Sequence, residues 1–333
     1  MNPKLRRMAL YLGLGLSAIL LLASTVIWWA AGEIVHPPRR PLQDYHHAIL
    51  NSPQTHGLVI KPFEVAGSSP GDFATPVLLC EPDPQAQPGP RGQLLRQQLT
   101  DLGQQLKPFG EITATLVLLH GRKGRKEDNL PVAERLCAAG FRCLLIDLPA
   151  HGENLNPIAS YGLHEWKLPD LIETTAAAHF QYPSGPRALW GISQGGAVAI
   201  QAAAKTPWDA LIVIASFAQF EDICRGQSDR LFGPASTLMF TLLKPVVEFR
   251  GGYQLGDITP INSARQLTLP AMIGHGTADT LIPIEIGQQL FDAVPSAHKE
   301  WRRIETGTHD RVLVTPMPLY ADMANFYLSH LQR

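Results

Sequence analysis

The run Ala188-Leu189-Trp190-Gly191-Ile192-Ser193-Gln194-Gly195-Gly196-Ala197 constrains the fold more than any other part of the chain. Its first three residues are apolar and suit a short buried strand. The residues from Ala197 to Ala204 suit a helix packed closely on a sheet, because most of them are small. Between strand and helix, Gly191, Ser193 and Gly195 form G-x-S-x-G. A turn this tight forces the serine into strained dihedral angles, and glycines must flank it because a Cβ there would meet the neighbouring strand and helix. The predicted result is a nucleophile elbow with its hydroxyl held clear of the sheet.

The elbow sits inside a regular alternation. Beyond Gly110, strands are predicted at Ala114–Leu119, Arg142–Ile146, Ala188–Trp190, Ala210–Ala215, Ala271–Ile273 and Glu300–Ile304. Helices are predicted around Leu130–Ala139, Leu168–Ala178, Gly196–Ala204, Glu285–Val294 and Met317–Leu331. Alternation at this spacing predicts βαβ units and a mostly parallel central sheet with helices on both faces. Functional groups in such a sheet collect at the carboxyl ends of the strands. Two earlier strands, Leu58–Val65 and Thr75–Cys80, read as an antiparallel entry hairpin through a turn at Gly67 to Gly71. Leu95, Leu99, Leu102 and Leu106 recur at helical spacing and predict an inserted helix.

At the N-terminus, Met8 to Ala31 carries no charge. As a helix rising about 1.5 Å per residue it is long enough to cross the roughly 30 Å hydrocarbon layer. Lys4, Arg6 and Arg7 precede it, and Trp28 and Trp29 close it at the expected interface. A cleaved signal peptide has a shorter apolar core ending in small residues, so an uncleaved single-pass anchor over residues 1–31 is expected. The basic residues before the span favour a cytoplasmic N-terminus. That places the protein in a bacterial inner membrane with its domain on the periplasmic side. Pro37, Pro38 and Pro41 among polar residues predict an extended tether over 32–57. Residues 58–333 then form the main domain.

The net charge of −1 argues against a nucleic-acid partner. Cys80, Cys137, Cys143 and Cys224 show no ligand or redox spacing, so buried free thiols are expected.

The predicted strand ends run into His120-Gly121-Arg122, Asp147-Leu148-Pro149-Ala150-His151-Gly152, Ser193, His275-Gly276-Thr277-Ala278-Asp279 and Gly307-Thr308-His309. On these segments the chain resembles the α/β-hydrolase superfamily, and within it the monoglyceride-lipase-like and serine-aminopeptidase-like branch. The similarity runs from about Leu58 to the C-terminus. It implies Ser193 as nucleophile, Asp279 as acid and His309 as base, in the chain order of this fold. It also implies an oxyanion hole from the backbone N–H of Gln194 and of Arg122. His120, His151 and His275 each belong to a His-Gly pair that similar hydrolases use without metal. The spacing of zinc sites is absent, so neither a metal nor a cofactor is called for. The insertion 217–270 falls where related hydrolases carry a cap, and Ala235 to Phe249 has a helical pattern with more apolar positions than one buried face needs.

The segment Arg122-Lys123-Gly124-Arg125-Lys126 places a run of cations beside the expected oxyanion hole. Lys123, Arg125 and Lys126 read as a basic rim for an anionic substrate end, or as a solvated loop partly neutralised by Glu127 and Asp128. The expected activity is hydrolysis of a small-molecule or lipid-like carboxylic ester. A peptidase acting on short peptides, with Glu221 and Asp222 holding an amine, is the alternative enzyme. A binding protein on an inactive hydrolase fold is the alternative of another class. An aspartate-nucleophile dehalogenase is excluded by Ser193. The sequence sets no oligomeric state.

Overall fold

The structure, a computed structural model, describes residues 3–67, 72–314 and 318–332. Helix α1 covers Pro3–Val35 and α2 covers Asp44–Asn51. Strands β1 (Leu58–Val65) and β2 (Thr75–Pro82) lead to α3 (Pro90–Asp101). The alternating part follows as β3 (Ala114–Leu119), α4 (Leu130–Ala138), β4 (Phe141–Ile146), α5 (Leu168–Phe180), β5 (Arg187–Ile192), α6 (Gln194–Ala203) and β6 (Ala210–Ile214). Three helices, α7 (Phe220–Phe232), α8 (Ser236–Gly251) and α9 (Pro260–Ala264), precede β7 (Ala271–Gly276). The chain ends with α10 (Ile284–Ala293), β8 (Lys299–Ile304) and α11 (Leu319–Leu331).

The strands form one sheet in the order β1-β2-β4-β3-β5-β6-β7-β8. β2 is antiparallel to both β1 and β4, and the pairs from β4 to β8 are parallel. The parallel strands are apolar on both faces because helices cover both. Leu116 and Leu118 of β3 face the core under α3, α4 and α11, with Leu99, Leu136 and Phe326. Val117 and Leu119 face the opposite core, with Ile172 of α5, Val198 of α6 and Leu290 of α10. This is the period-two alternation of a strand, expressed as two cores instead of a core and a wet face.

The order also locates the crevice. From β3 the chain steps outward to β4, then crosses back to β5 on the other side of β3 and proceeds to β6. Where neighbouring strands send their connections in opposite directions, the carboxyl ends open into a cleft. That point lies between β3 and β5, so the loop after Leu119 and the turn at Ser193 stand side by side.

Two expectations are corrected here. The segment 32–57 is not an extended tether. α1 continues to Val35, and α2 buries His46 and Ile49. Ile49 joins the core beside Leu58, which compensates the entropy of ordering the segment. The inserted helix is shorter at its C-terminal end than the leucine spacing predicts. α3 stops at Asp101, Gly103 takes φ 82°, and Leu102 is exposed. The turn expected at Gly67 to Gly71 lies outside the described residues from position 68 on, as does the first residue of the helix expected at Met317. Cys80, Cys137 and Cys143 are buried free thiols, while Cys224 is only half-buried.

Candidate active site

Ser193 stands between β5 and α6 with φ 52° and ψ −118°, a positive-φ conformation that costs a non-glycine residue about 1–3 kcal/mol. The turn is over-determined by its surroundings. Ser193 N donates to Ile214 O at 2.9 Å, and Ser216 Oγ donates to Ser193 O at 2.9 Å. A Cβ on Gly191 would lie 2.3 Å from Gly195 O, and one on Gly195 would lie 2.1 Å from Leu119 O. The glycines therefore let β5, α6 and the end of β3 meet at the serine.

His309 arrives on a short 3₁₀ turn after β8, and Asp279 on the loop after β7. Ser193 Oγ lies 3.0 Å from His309 Nε2, and His309 Nδ1 lies 2.7 Å from Asp279 Oδ2. The carboxylate accepts at Nδ1, so that nitrogen carries the proton and Nε2 is left to accept from the serine hydroxyl. Asp279 Oδ1 accepts from Leu281 N at 2.9 Å and Ile282 N at 2.8 Å. Burial pushes the Asp279 carboxyl up, but the His275 ring close to it and the hydrogen bonds from the His309 ring and the Ile282 amide outweigh it and hold the group well below the usual range. Asp279 is thus a fixed anion. The structure brings Ser193, His309 and Asp279 together in an arrangement able to activate a hydroxyl by proton transfer to a neutral imidazole. Asp310, adjacent to His309, is exposed.

His275 supports the acid from behind. Its Nε2 donates to Ile282 O at 2.8 Å and lies 3.4 Å from Asp279 Oδ2. His120 fixes the loop after β3. Leu148 N donates to His120 Nε2 at 3.1 Å, so Nδ1 carries the proton and donates to Gly121 O at 2.8 Å. Burial lowers the His120 pKa and keeps the ring neutral. His151 Nδ1 donates to Pro149 O at 2.8 Å. These three histidines are thus engaged with backbone. Among the described residues no group of three or more His, Cys, Asp and Glu side chains is arranged to hold a metal.

Of the residues expected at the oxyanion hole, Gln194 directly follows Ser193 and Arg122 directly follows Gly121. Gln194 is the first residue of α6, where backbone N–H groups have no partner within the helix. Gly121, just before Arg122, approaches Ser193 closely, for a Cβ on it would lie 3.4 Å from Ser193 Cβ.

The basic rim is a correction. Lys126 is buried, with Nζ 2.8 Å from Asp147 Oδ2 and 3.1 Å from Glu127 Oε1, and it also meets Glu153. Arg125 is buried too, with Nε 2.6 Å from Glu127 Oε2. Only Lys123 keeps an exposed side chain, 3.8 Å from Glu33. Arg125 and Lys126 hold the loop instead of facing a substrate, because each has a carboxylate within reach and burial without one would be prohibitive. The side chains of Glu221 and Asp222 are likewise engaged. Glu221 pairs with Lys244 at 2.8 Å, and Asp222 accepts from Gln219 at 2.9 Å.

Sequence reasoning missed the residues that brace this loop. Asp128 accepts from Arg40 at 2.7 Å and Tyr45 at 3.1 Å, and His46 Nε2 lies 3.0 Å from it. Arg40 Nε donates to Lys123 O at 2.7 Å. No local pattern announces contacts between segments so far apart in the chain.

Residues 116–329 match the model of the alpha/beta hydrolase family. Among solved structures, an esterase of Pyrococcus furiosus is similar with a TM-score of 0.64 and 16% identity, covering 90% of this chain and 98% of its own. The acylaminoacyl peptidase of Pyrococcus horikoshii gives 0.58 and 14%, over 88% of this chain and 45% of its own. A membrane phospholipase A described as a bacterial virulence factor gives 0.53 and 15%, over 99% of both chains. At these identities the likeness shows a shared fold.

Proposed function

The chain belongs to the alpha/beta hydrolase family, and on that premise we propose that it is a serine hydrolase cleaving carboxylic esters through an acyl-enzyme. The observation that carries the reading is the unbroken hydrogen-bonded relay from Ser193 through His309 to Asp279. Ser193 Oγ attacks the ester carbonyl as its proton passes to His309 Nε2. The negative charge that develops on the carbonyl oxygen is received by the N–H groups of Gln194 and Arg122. Collapse of the adduct expels the alcohol, which takes the proton back from His309. Water then repeats the sequence and releases the acid. Asp279, held anionic, keeps the proton on Nδ1 and stabilises the imidazolium.

The substrate is a small-molecule or lipid-like ester. Leu238, Leu242 and Phe249 support an apolar acyl part, since they lie exposed along one side of α8 in the insertion read as a cap. Arg125 and Lys126 offer no charge to an anionic substrate end, because both are buried in ion pairs. The peptidase reading loses its amine anchor with the pairing of Glu221 to Lys244.

The part of α1 from Arg6 to Val35 is long and apolar enough to cross a membrane. In our reading it anchors the protein in a bacterial inner membrane, with the domain on the periplasmic side. Protease added to spheroplasts digests the domain if this orientation holds and leaves it intact until lysis if it is reversed.

The activity is tested by fluorophosphonate labelling of the wild type and Ser193→Ala, alongside turnover of nitrophenyl esters of graded chain length and of aminoacyl nitroanilides. Labelling lost in the variant and preferential ester turnover are expected. Full ester turnover by Ser193→Ala would overturn the assignment.

A further inference from the structure

An α-helix leaves its last four carbonyls without partners inside the helix, and a buried end must find them elsewhere. The end of α1 is buried, with Ala31 and Val35 fully covered. Gly32 O accepts from His36 N at 2.7 Å, the ordinary continuation of the helix. The other three acceptors are met from the catalytic face. Glu33 O accepts from Arg122 Nη2 at 2.5 Å, Ile34 O from Tyr161 Oη at 2.7 Å, and Val35 O from Ala159 N at 2.9 Å. Arg122 lies in the loop after β3, and Ala159 and Tyr161 lie in the loop after β4. Tyr161 is itself locked, being buried and stacked on Phe220 at a centroid distance of 3.7 Å.

The same loop after β3 is held from its other side. Gly121 O accepts from His120 Nδ1 at 2.8 Å and from Gly124 N at 2.9 Å. In a trans peptide the C=O of Gly121 and the N–H of Arg122 point in opposite directions within one plane. Fixing the carbonyl therefore fixes that amide's axis. The Arg122 side chain fixes the other end of the residue, with its guanidinium at the negative end of the α1 dipole.

We infer that the end of α1 is part of the active-site framework: Arg122 is a positioning residue whose side chain, seated on Glu33 O, holds its own backbone N–H in place beside Ser193. The inference rests on the reading of that N–H as an oxyanion donor. Because the donor is a backbone group, changing the side chain leaves the donor present and removes only its support. The apolar helix and the oxyanion loop then set each other's position. A purely mechanical anchor would have no such link.

The test uses the full chain in nanodiscs, with Arg122→Met, Arg122→Lys and Tyr161→Phe. Rates are expressed per site titrated by fluorophosphonate, so that loss of folded protein does not count as loss of catalysis. Arg122→Met is expected to lower kcat for a nitrophenyl ester by about 10- to 100-fold with KM within about twofold, because a displaced donor costs less than a deleted one. Inhibition by a trifluoromethyl ketone, which forms the oxyanion, should weaken by the same factor. Arg122→Lys should restore part of both, and Tyr161→Phe should give a smaller loss of both. Unchanged kcat per titrated site in Arg122→Met, or a change confined to KM, overturns the inference while leaving the serine-hydrolase reading intact. A wild type that neither reacts with fluorophosphonate at Ser193 nor binds the ketone overturns both.

Discussion

Lys126 Nζ lies 2.8 Å from Asp147 Oδ2 with both side chains out of water, so an ion pair fastens the loop after β3 to the loop after β4. Asp147 also accepts from Lys126 N at 2.7 Å and Glu153 N at 2.9 Å. Burial alone would lower the Lys126 pKa, yet Asp147 and Glu153 more than offset it and raise the pKa above the ordinary value. Removing one partner of a buried pair strands the other charge, at a cost of about 3–5 kcal/mol. Lys126→Met should therefore lower unfolding stability by that order in a denaturant titration. Adding Asp147→Asn to it should recover part of the loss. A loss under about 1 kcal/mol would mean that the pair is not holding the two loops.

Asp279→Asn should reduce ester kcat by about 10⁴-fold. Its Oδ1 accepts two backbone N–H groups, so the asparagine oxygen must take that side. The amide NH₂ then faces His309 Nδ1 and forces the proton to Nε2, where it blocks acceptance from Ser193. The exposed neighbour is the control, and Asp310→Asn should keep kcat within about twofold of wild type, as a surface substitution does. Comparable losses in the two variants would reassign the acid.

Gly276, at the end of β7 before Asp279, and Gly307, in the loop before His309, approach each other closely. A Cβ on Gly276 would lie 2.1 Å from Gly307 O, which already accepts from Ala278 N at 3.0 Å. Gly276→Ala must push the two loops apart, and overpacking of this kind costs about 1–3 kcal/mol. Ester turnover per folded molecule should fall even where the protein remains folded. Gly185→Ala, with open space around the added methyl, should leave turnover unchanged. Equal behaviour of the two variants would show that this contact does not set the His309 loop.

Stability should fall in acid through His151. Burial lowers its pKa to about 3 from the ordinary 6.5, because Nε2 is buried without a hydrogen-bond partner and cannot accommodate a charge. The folded-state pKa is depressed, so the unfolded chain takes up the proton first as pH falls. The contribution is complete above about pH 6.5 and is lost progressively toward pH 3, at up to about 1.4 kcal/mol per pH unit. Unfolding free energies of His151→Gln, measured between pH 7 and 4, should slope less than those of the wild type. Parallel slopes would remove His151 from the account.

The sequence by itself determined what depends on neighbours along the chain. Alternating apolar and amphipathic segments specified β3 to β8 with most of their helices, since periodicity reports which face a residue must bury. Gly191-x-Ser193-x-Gly195 specified a turn that few other residues could make. The charge-free run from Met8 specified a helix long enough for a bilayer. Only the tertiary structure decided what Arg122 to Lys126 do. Their charges are local and visible, but the carbonyl of Glu33 and the carboxylates of Asp147 and Glu153 that receive them are brought there by the sheet order and by α1. The prolines of 32–57 suggested a tether for the same reason: propensity describes an isolated segment, whereas Ile49 and Val35 are ordered by surfaces distant in the chain. The separation between Ser193 and His309 was set in the same way, by the sheet order that brings the ends of β5, β7 and β8 together. A hydrogen bond across such a span is a property of packing, which local sequence does not encode.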